Sequence, residues 1–255
     1  MAIKLKSRPE LKLMRKSGQL AQRILVRLGE ATAVGVTPLE LDRIARRMLE
    51  EGGARSPFLG KRGHNSAIYP NSITVSVNDA VVHGIPTERP FENGDVVSLD
   101  VGTLLNGFIG DTAGTFGAGE LSPRAQRLMR VTEEALYLGI KQAKPGNHVG
   151  DIGHAVQKHV EMHGYAIVKG LVGHGVGRTL WEDPQVPNYG EPGEGVKLRP
   201  GMVIAIEPMV NEGTDDVKQL ADKWTYVSAD GSLSAHYEHT VAILSDGPEI
   251  LTRVD

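Results

Sequence analysis

Apolar residues recur at helical spacing in four stretches of the chain, and each stretch carries its own start and stop signals. Leu11, Met14, Ala21, Leu25 and Leu28 fall on one helical face, because 3.6 residues per turn bring such positions together. Ser7-Arg8-Pro9-Glu10 supplies an N-cap, a proline for the first turn and a capping glutamate, and Gly29 closes the element. A second helix is predicted from Thr37-Pro38-Leu39-Glu40 through Leu41, Ile44, Ala45 and Met48 to Gly52-Gly53. The same grammar returns at Ser122-Pro123, with Leu128, Val131, Ala135 and Leu138 on one face and Lys144-Pro145-Gly146 as the stop. A shorter helix follows through Val149, Ile152, Val156 and Val160 to Gly164.

Between and after the helix pairs the spacing changes to runs that suit strands. They are Ser72–Val77, Val96–Leu105 and Phe108–Thr112, then Met202–Glu207, Trp224–Val227 and His239–Leu244. The order long helix, loop, shorter helix, strands therefore occurs twice, offset by about 110 residues, with slight identity between the copies. We expect an α/β (α+β) architecture of two pseudo-twofold-related halves, roughly 1–117 and 118–255, within one domain spanning 1–255. A cleft between such halves is a common place for an active site.

The stretch LDVGTLLNGFIGDT joins two of these strands. Asn106-Gly107 is the strongest short hairpin signal, since both central positions of a type I′ turn need φ > 0. With those two as the turn, Leu105 lies opposite Phe108, Asp100 faces Ala113 and Asp111 faces Gly102. The aspartates become diagonal neighbours on one face, roughly 7–8 Å apart at the backbone. They either end strands at the surface or converge on something positive.

Three more stretches carry chemistry. Glu207 ends the apolar run GMVIAIEPM, and Glu238 lies on one face of the strand in AHYEHTVAIL. A buried carboxylate needs a partner or a metal. His174 stands between glycines in GHGVG, where a backbone can approach something closely. Four carboxylates and one imidazole suit hard or borderline cations such as Mn, Co or Fe, with Zn possible. Four carboxylates also balance two divalent ions, and paired metals are a known device for activating a water. The absence of cysteine excludes thiolate sites, disulfides and a thiol nucleophile. His83, in VVHGIP, is a surface turn by itself but beside such a centre would stabilise a developing oxyanion. His154, His159 and His163 are expected on a solvated helix face, since no third ligand for the i,i+4 pair is evident.

Composition narrows the partners. With 28 basic and 31 acidic residues the formal net charge is −3, which suggests neither nucleic acid nor a membrane surface. The start MAIKLKSRPELKLMRK has no apolar core of a signal peptide, and no run approaches the ~20 residues of a spanning helix. A cytoplasmic, monomeric protein is expected.

VVHGIP, SLDVG with GDT, GHGVG, IEPM and SLSAHYEHT occur in the order of the type I methionine aminopeptidases, which this chain resembles from about residue 3 to 252. The resemblance implies the pita-bread fold, with Asp100, Asp111, His174, Glu207 and Glu238 as ligands of two divalent ions (Co, Mn, Fe or Zn). It implies Asp111 and Glu238 as bridging ligands, His83 as a catalytic histidine and Glu207 as a proton shuttle. The implied reaction removes the initiator methionine from the N-termini of nascent polypeptides when the second residue is small. Tyr69 and Trp224 match aromatic walls of the substrate pocket. Thr74 stands where bacterial relatives commonly have cysteine, Leu180 where they have phenylalanine, and Trp181 where the family has a second histidine. The segment Gly60–Ala67 also departs from the usual loop before Tyr69. A related aminopeptidase with altered N-terminal preference, or a pita-bread binding protein without catalysis, are the alternatives; five competent ligand residues argue against the latter.

Overall fold

The computed structural model describes residues 3–63 and 66–254. The first part of the chain contains α1 (Arg8–Ala31), α2 (Pro38–Glu51), β1 (Thr74–Val77), β2 (Ala80–Val82), β3 (Asp95–Leu105) and β4 (Phe108–Ala118). The second contains α3 (Pro123–Gln142), α4 (Val149–Met162), β5 (Ala166–Ile167), β6 (Gly173–Gly175), β7 (Glu182–Val186) and β8 (Val203–Ile206). It ends with β9 (Met209–Asn211), β10 (Val217–Gln219), β11 (Tyr226–Ser228), β12 (Ser234–His236), β13 (Glu238–Leu244) and β14 (Gly247–Ile250).

The helices begin at their expected caps. The Thr37 backbone N–H donates to the Glu40 carboxylate at 2.8 Å while Glu40 N–H donates to Thr37 Oγ1 at 3.2 Å. This reciprocal pairing satisfies two otherwise orphaned donors of α2. Ser122 Oγ accepts from Ala125 N–H at 3.2 Å and opens α3. The apolar stripe of α1, including Met14, Ala21, Ile24 and Leu28, is buried. None of the described helices is long and apolar enough to cross a membrane.

One antiparallel sheet organises the molecule, in the order β1-β3-β4-β13-β8-β6-β7, with β14 paired to β13. Helix α1 lies against its β3–β4 hairpin closely enough that a Cβ on Gly110 would meet the Gly18 backbone nitrogen at 2.4 Å. Ser17 Oγ donates to the Phe108 carbonyl at 3.0 Å in the same contact. A Cβ on Gly18 would in turn meet the Leu251 carbonyl oxygen at 2.6 Å, so helix, strand and C-terminal segment are stacked backbone to backbone. Both glycine-dependent approaches exist because no side chain intervenes.

The hairpin has the predicted register, with Leu105 opposite Phe108, Asp100 opposite Ala113 and Gly102 opposite Asp111. Asn106 and Gly107 have φ of 53° and 78°, as a type I′ turn requires. The second strand runs on to Ala118 rather than stopping at Thr112, because β3 offers pairing partners as far back as Asp95. Strands β2, β5, β6, β7, β9, β10, β12 and β14 lie outside the predicted set; each has two to five residues, too few to show a period.

Candidate metal centre

The sheet order brings five sequence-selected residues together. Asp100 is on β3, Asp111 on β4, Glu238 opens β13, Glu207 follows β8 and His174 is the middle residue of β6. These five strands are consecutive neighbours in the sheet. Ala113 of β4 pairs with Asp100 on one side and with Glu238 on the other. Asp111, two residues along β4, points to the same face because side chains alternate along a strand. Register alone thus places Asp100, Asp111 and Glu238 on one patch of three strands.

His174 closes the group from the other side. Its Nε2 lies 3.4 Å from Glu207 Oε1 and 3.9 Å from Asp111 Oδ2. Ligating atoms of Asp111, His174 and Glu238 all fall within 4.8 Å of one another. His174 Nδ1 is 2.9 Å from the Gly175 carbonyl oxygen, which only accepts, so Nδ1 carries the proton. Nε2 is left with its lone pair toward the carboxylates, the tautomer a metal ligand needs. The glycines of GHGVG serve the approach of neighbouring strands and not a turn. A Cβ on Gly173 would sit 2.4 Å from the Ala205 carbonyl oxygen, and one on Gly175 2.3 Å from that of Asp183.

The electrostatics of the cluster are those of acids crowded together. Burial, then repulsion from Asp111 and Glu207, raises the Asp100 pKa well above its ordinary value. Glu207 and Glu238 are raised for the same reasons, and burial pushes Asp111 up to about 7. Desolvation holds His174 down at about 4, with Lys61 adding to the lowering. Among the described residues, Asp100 Oδ1, Asp111 Oδ1 and Glu238 Oε1 are buried with no hydrogen-bond partner. Unpartnered buried oxygens are rare and costly. The donor set fits divalent cations, whose charge would reverse the upward shifts of the carboxylates and keep His174 neutral.

His83 sits beside β2 with φ of 59°. Its ring meets Trp224 and Tyr226 edge-on, with centroids 6.3 and 6.1 Å away. Desolvation, then the neighbouring His174, lowers its pKa to about 4, so it is neutral at pH 7.

The residues assigned to a substrate pocket divide into two groups. Tyr69, Leu180 and Trp224 belong to one buried apolar cluster, and Tyr69 and Trp224 pack edge-to-face at 5.2 Å. Tyr69 is anchored by its hydroxyl, which donates to the Gly84 carbonyl at 2.8 Å. Thr74 is buried on β1, directly opposite Asp100. Trp181 is apart from this cluster: it is 39% exposed, with Lys61 Nζ 4.3 Å above its ring. The segment before Tyr69 doubles back, with Gly60 N–H donating to the Tyr69 carbonyl and Tyr69 N–H to that of Lys61. His64 and Asn65 of that segment lie outside the described residues.

Three residues at the site were not singled out from sequence. Phe58 extends the aromatic wall, 6.5 Å from Tyr69. Lys61 carries the cation above Trp181. His236 is buried with its Nε2 3.7 Å from Glu207 Oε2, and desolvation followed by His83 lowers its pKa to about 3. Its signal was available, since it lies two residues before Glu238 and shares that strand-period face.

One expectation is overturned on the far side of the second helix pair. His154, His159 and His163 are half-buried rather than solvated, and the i,i+4 pair does have a third metal-competent group close by, the carboxylate of Glu134 on α3. The cause is helix packing, which sequence spacing within α4 does not reveal.

The family profile of metallopeptidase family M24 matches residues 12–245. The chain is 49% identical over 250 residues to the methionine aminopeptidase of Clostridium perfringens, covering 98% of each. Among solved structures, the methionine aminopeptidase from Thermotoga maritima superposes with a TM-score of 0.94 at 42% identity, over 99% of this chain and 100% of that one. The methionine aminopeptidase from Rickettsia prowazekii gives 0.95 at 36% identity, with the same coverage of 99% and 100%.

Proposed function

Because the chain belongs to metallopeptidase family M24, we propose that it releases methionine from the N-termini of peptides and nascent proteins whose second residue is small. It is an aminopeptidase with the α/β pita-bread fold of the methionine aminopeptidases. The observation that carries the reading is the placement of Asp100, Asp111, Glu238, Glu207 and His174 on five adjacent strands. These five would hold two divalent ions, of Co, Mn, Fe or Zn, with Asp111 and Glu238 bridging. When bound, the ions supply Lewis acidity toward the scissile carbonyl and a water made nucleophilic at neutral pH.

The chain's own groups do the rest. Glu207, whose two oxygens face His174 and His236, takes a proton during attack and returns it to the leaving amine. Neutral His83 donates one ring N–H to the oxygen on which charge develops. Tyr69, Leu180 and Trp224, with Thr74 at the floor beside Asp100, receive an unbranched apolar side chain. Lys61 and Trp181 form a rim beyond it and replace an imidazole with a cation stacked on an indole. That rim favours, as the second reading, a preference at the N-terminus broader than methionine. Our reading further has the enzyme act on these substrates in the cytoplasm, as a monomer.

The decisive measurement is cleavage of a peptide panel by metal-reconstituted protein, varying first the N-terminal residue and then the second. Methionyl peptides with Gly, Ala or Ser second should be turned over fastest, and chelation should abolish turnover. Full activity in thoroughly demetallated protein, or indifference to the first residue, would overturn the reading.

A further inference from the structure

Glu134, His159 and His163 form a second cluster of metal-competent groups, carried by the α3–α4 helix pair and outside the set of acids on the central sheet. Helix α3 contributes Glu134, the last turn of α4 contributes His159, and His163 caps that helix. One ligating atom from each lies within 4.8 Å of the others. In a tetrahedral zinc site with bonds of ~2.0–2.2 Å, ligand atoms stand about 3.3–3.6 Å apart. Small rotamer adjustments of these partly exposed side chains would complete the set.

Each group is already oriented for the task. Glu134 Oε2 is 3.1 Å from His159 Nε2, while its Oε1 faces Arg130 Nε at 3.7 Å. His163 Nδ1 is 2.8 Å from the His159 carbonyl oxygen. A carbonyl only accepts, so Nδ1 holds the proton and Nε2 keeps a free lone pair. The two imidazole rings lie 4.4 Å apart, tilted by 50°. Arg127 Nη2 donates to the His163 carbonyl at 2.9 Å and steadies the turn beyond the helix. The C-terminal end of α4 also carries the partial negative charge of its unsatisfied carbonyls, which favours a cation there.

We propose that Glu134, His159 and His163 bind one divalent transition-metal ion, zinc by the chemistry of the donors, and so cross-link α3 to α4. Two imidazoles and a carboxylate are a borderline donor set that suits Zn, Ni or Cu over Mg or Ca. Binding takes the place of the His159–Glu134 hydrogen bond, with His159 coordinating through Nε2 as its Nδ1–H tautomer. The fourth position faces water.

The test is a metal count on the full-length holoenzyme equilibrated with zinc and then freed of loose ions. The variants are His159→Gln with His163→Gln, and separately Glu134→Gln. Wild-type protein should hold one zinc equivalent more than the double variant, and Glu134→Gln should weaken that extra binding at least tenfold. Methionyl-peptide turnover per catalytic metal should be the same in all three. Circular dichroism and melting of the metal-free proteins check that the variants fold; a zinc-induced rise in α3–α4 protection from hydrogen exchange in wild type alone is the second readout. Equal zinc counts in wild type and double variant overturn the proposal, whatever the catalytic centre binds.

Discussion

The β3–β4 hairpin and the strands β6, β8 and β13 feed the same cluster of acids by different means. The hairpin pairs eleven residues against eleven without a break, around a turn whose φ values suit its two residues. Strands β6 and β8 touch at a single pair, Gly175 with Ile204, and β6 meets β7 through a shifted register. Asp100 and Asp111 are thus fixed by local chain geometry. Glu238, Glu207 and His174 are held by long-range neighbours, such as Thr240 Oγ1, which donates to the Asp111 carbonyl at 2.7 Å. One side of the centre would survive small disturbances of the other, while the short-strand side depends on everything around it, including the ions it binds.

Removing a group from the dependent side should have the largest effect. Glu238→Ala takes away a carboxylate proposed to bridge the ions and is expected to abolish activity together with metal stoichiometry, as read by metal analysis and peptide turnover. A variant that kept both ions and its turnover would show the hairpin side to be sufficient. Next in size is His83→Ala, which should lower kcat by about 10²–10³-fold with both metals retained. Loss of metal with unchanged turnover per bound ion would make His83 a ligand instead.

Metal addition and pH probe the same contrast through stability. Saturation at 100 times Kd stabilises by about 2.7 kcal/mol, a rise in Tm of about 5–11 °C for a chain of this size. Asp111, raised to about 7 in the metal-free fold, favours folding below the unfolded-state pKa of 3.8 and ceases to do so as pH climbs through about 7. His83 and His174, lowered to about 4, act in the other sense: their contribution is full above 6.5 and is lost as pH falls through about 4. The metal-induced gain in Tm should therefore be greater at pH 7.5 than at pH 5. A gain independent of pH would mean that the carboxylates are not the groups being neutralised.

The hairpin side has its own weak point. Gly110→Ala drives a methyl into the Gly18 backbone and should cost about 1–3 kcal/mol, with Tm falling about 2–12 °C. An unchanged Tm would show that α1 can move off the hairpin freely. The smallest effect is expected at the rim. Trp181→His restores one neutral hydrogen bond, about 0.5–1.5 kcal/mol, or about a 2- to 13-fold rise in kcat/KM on methionyl peptides. Unchanged kinetics and an unchanged ranking of N-terminal residues would make Trp181 a bystander.

The same contrast explains what the sequence alone revealed. The helices were legible because Thr37, Ser122 and Pro38 are caps acting on their own next turn. The hairpin register was legible because Asn106-Gly107 allows one turn. The close backbone approach at GHGVG was legible from its glycines, but not that Gly173–Gly175 form a strand, which depends on pairing with β7 and β8. The Lys61–Trp181 stack and the Glu134–His159 contact join elements whose packing no local period encodes. The acids themselves stood out because a carboxylate at an apolar strand demands a partner.

The pairing of Asp111 with Thr240 spans 129 residues. At a synthesis rate of 5–20 residues per second, about 6–26 s separate the emergence of these two groups. The hairpin can close early, yet its aspartates then wait beside water for the strand that buries them. Until β13 arrives there is no desolvated pocket to select an ion, so loose cations met early in translation gain no lasting hold. A metal held at this centre would therefore enter late, from whatever the folded chain encounters.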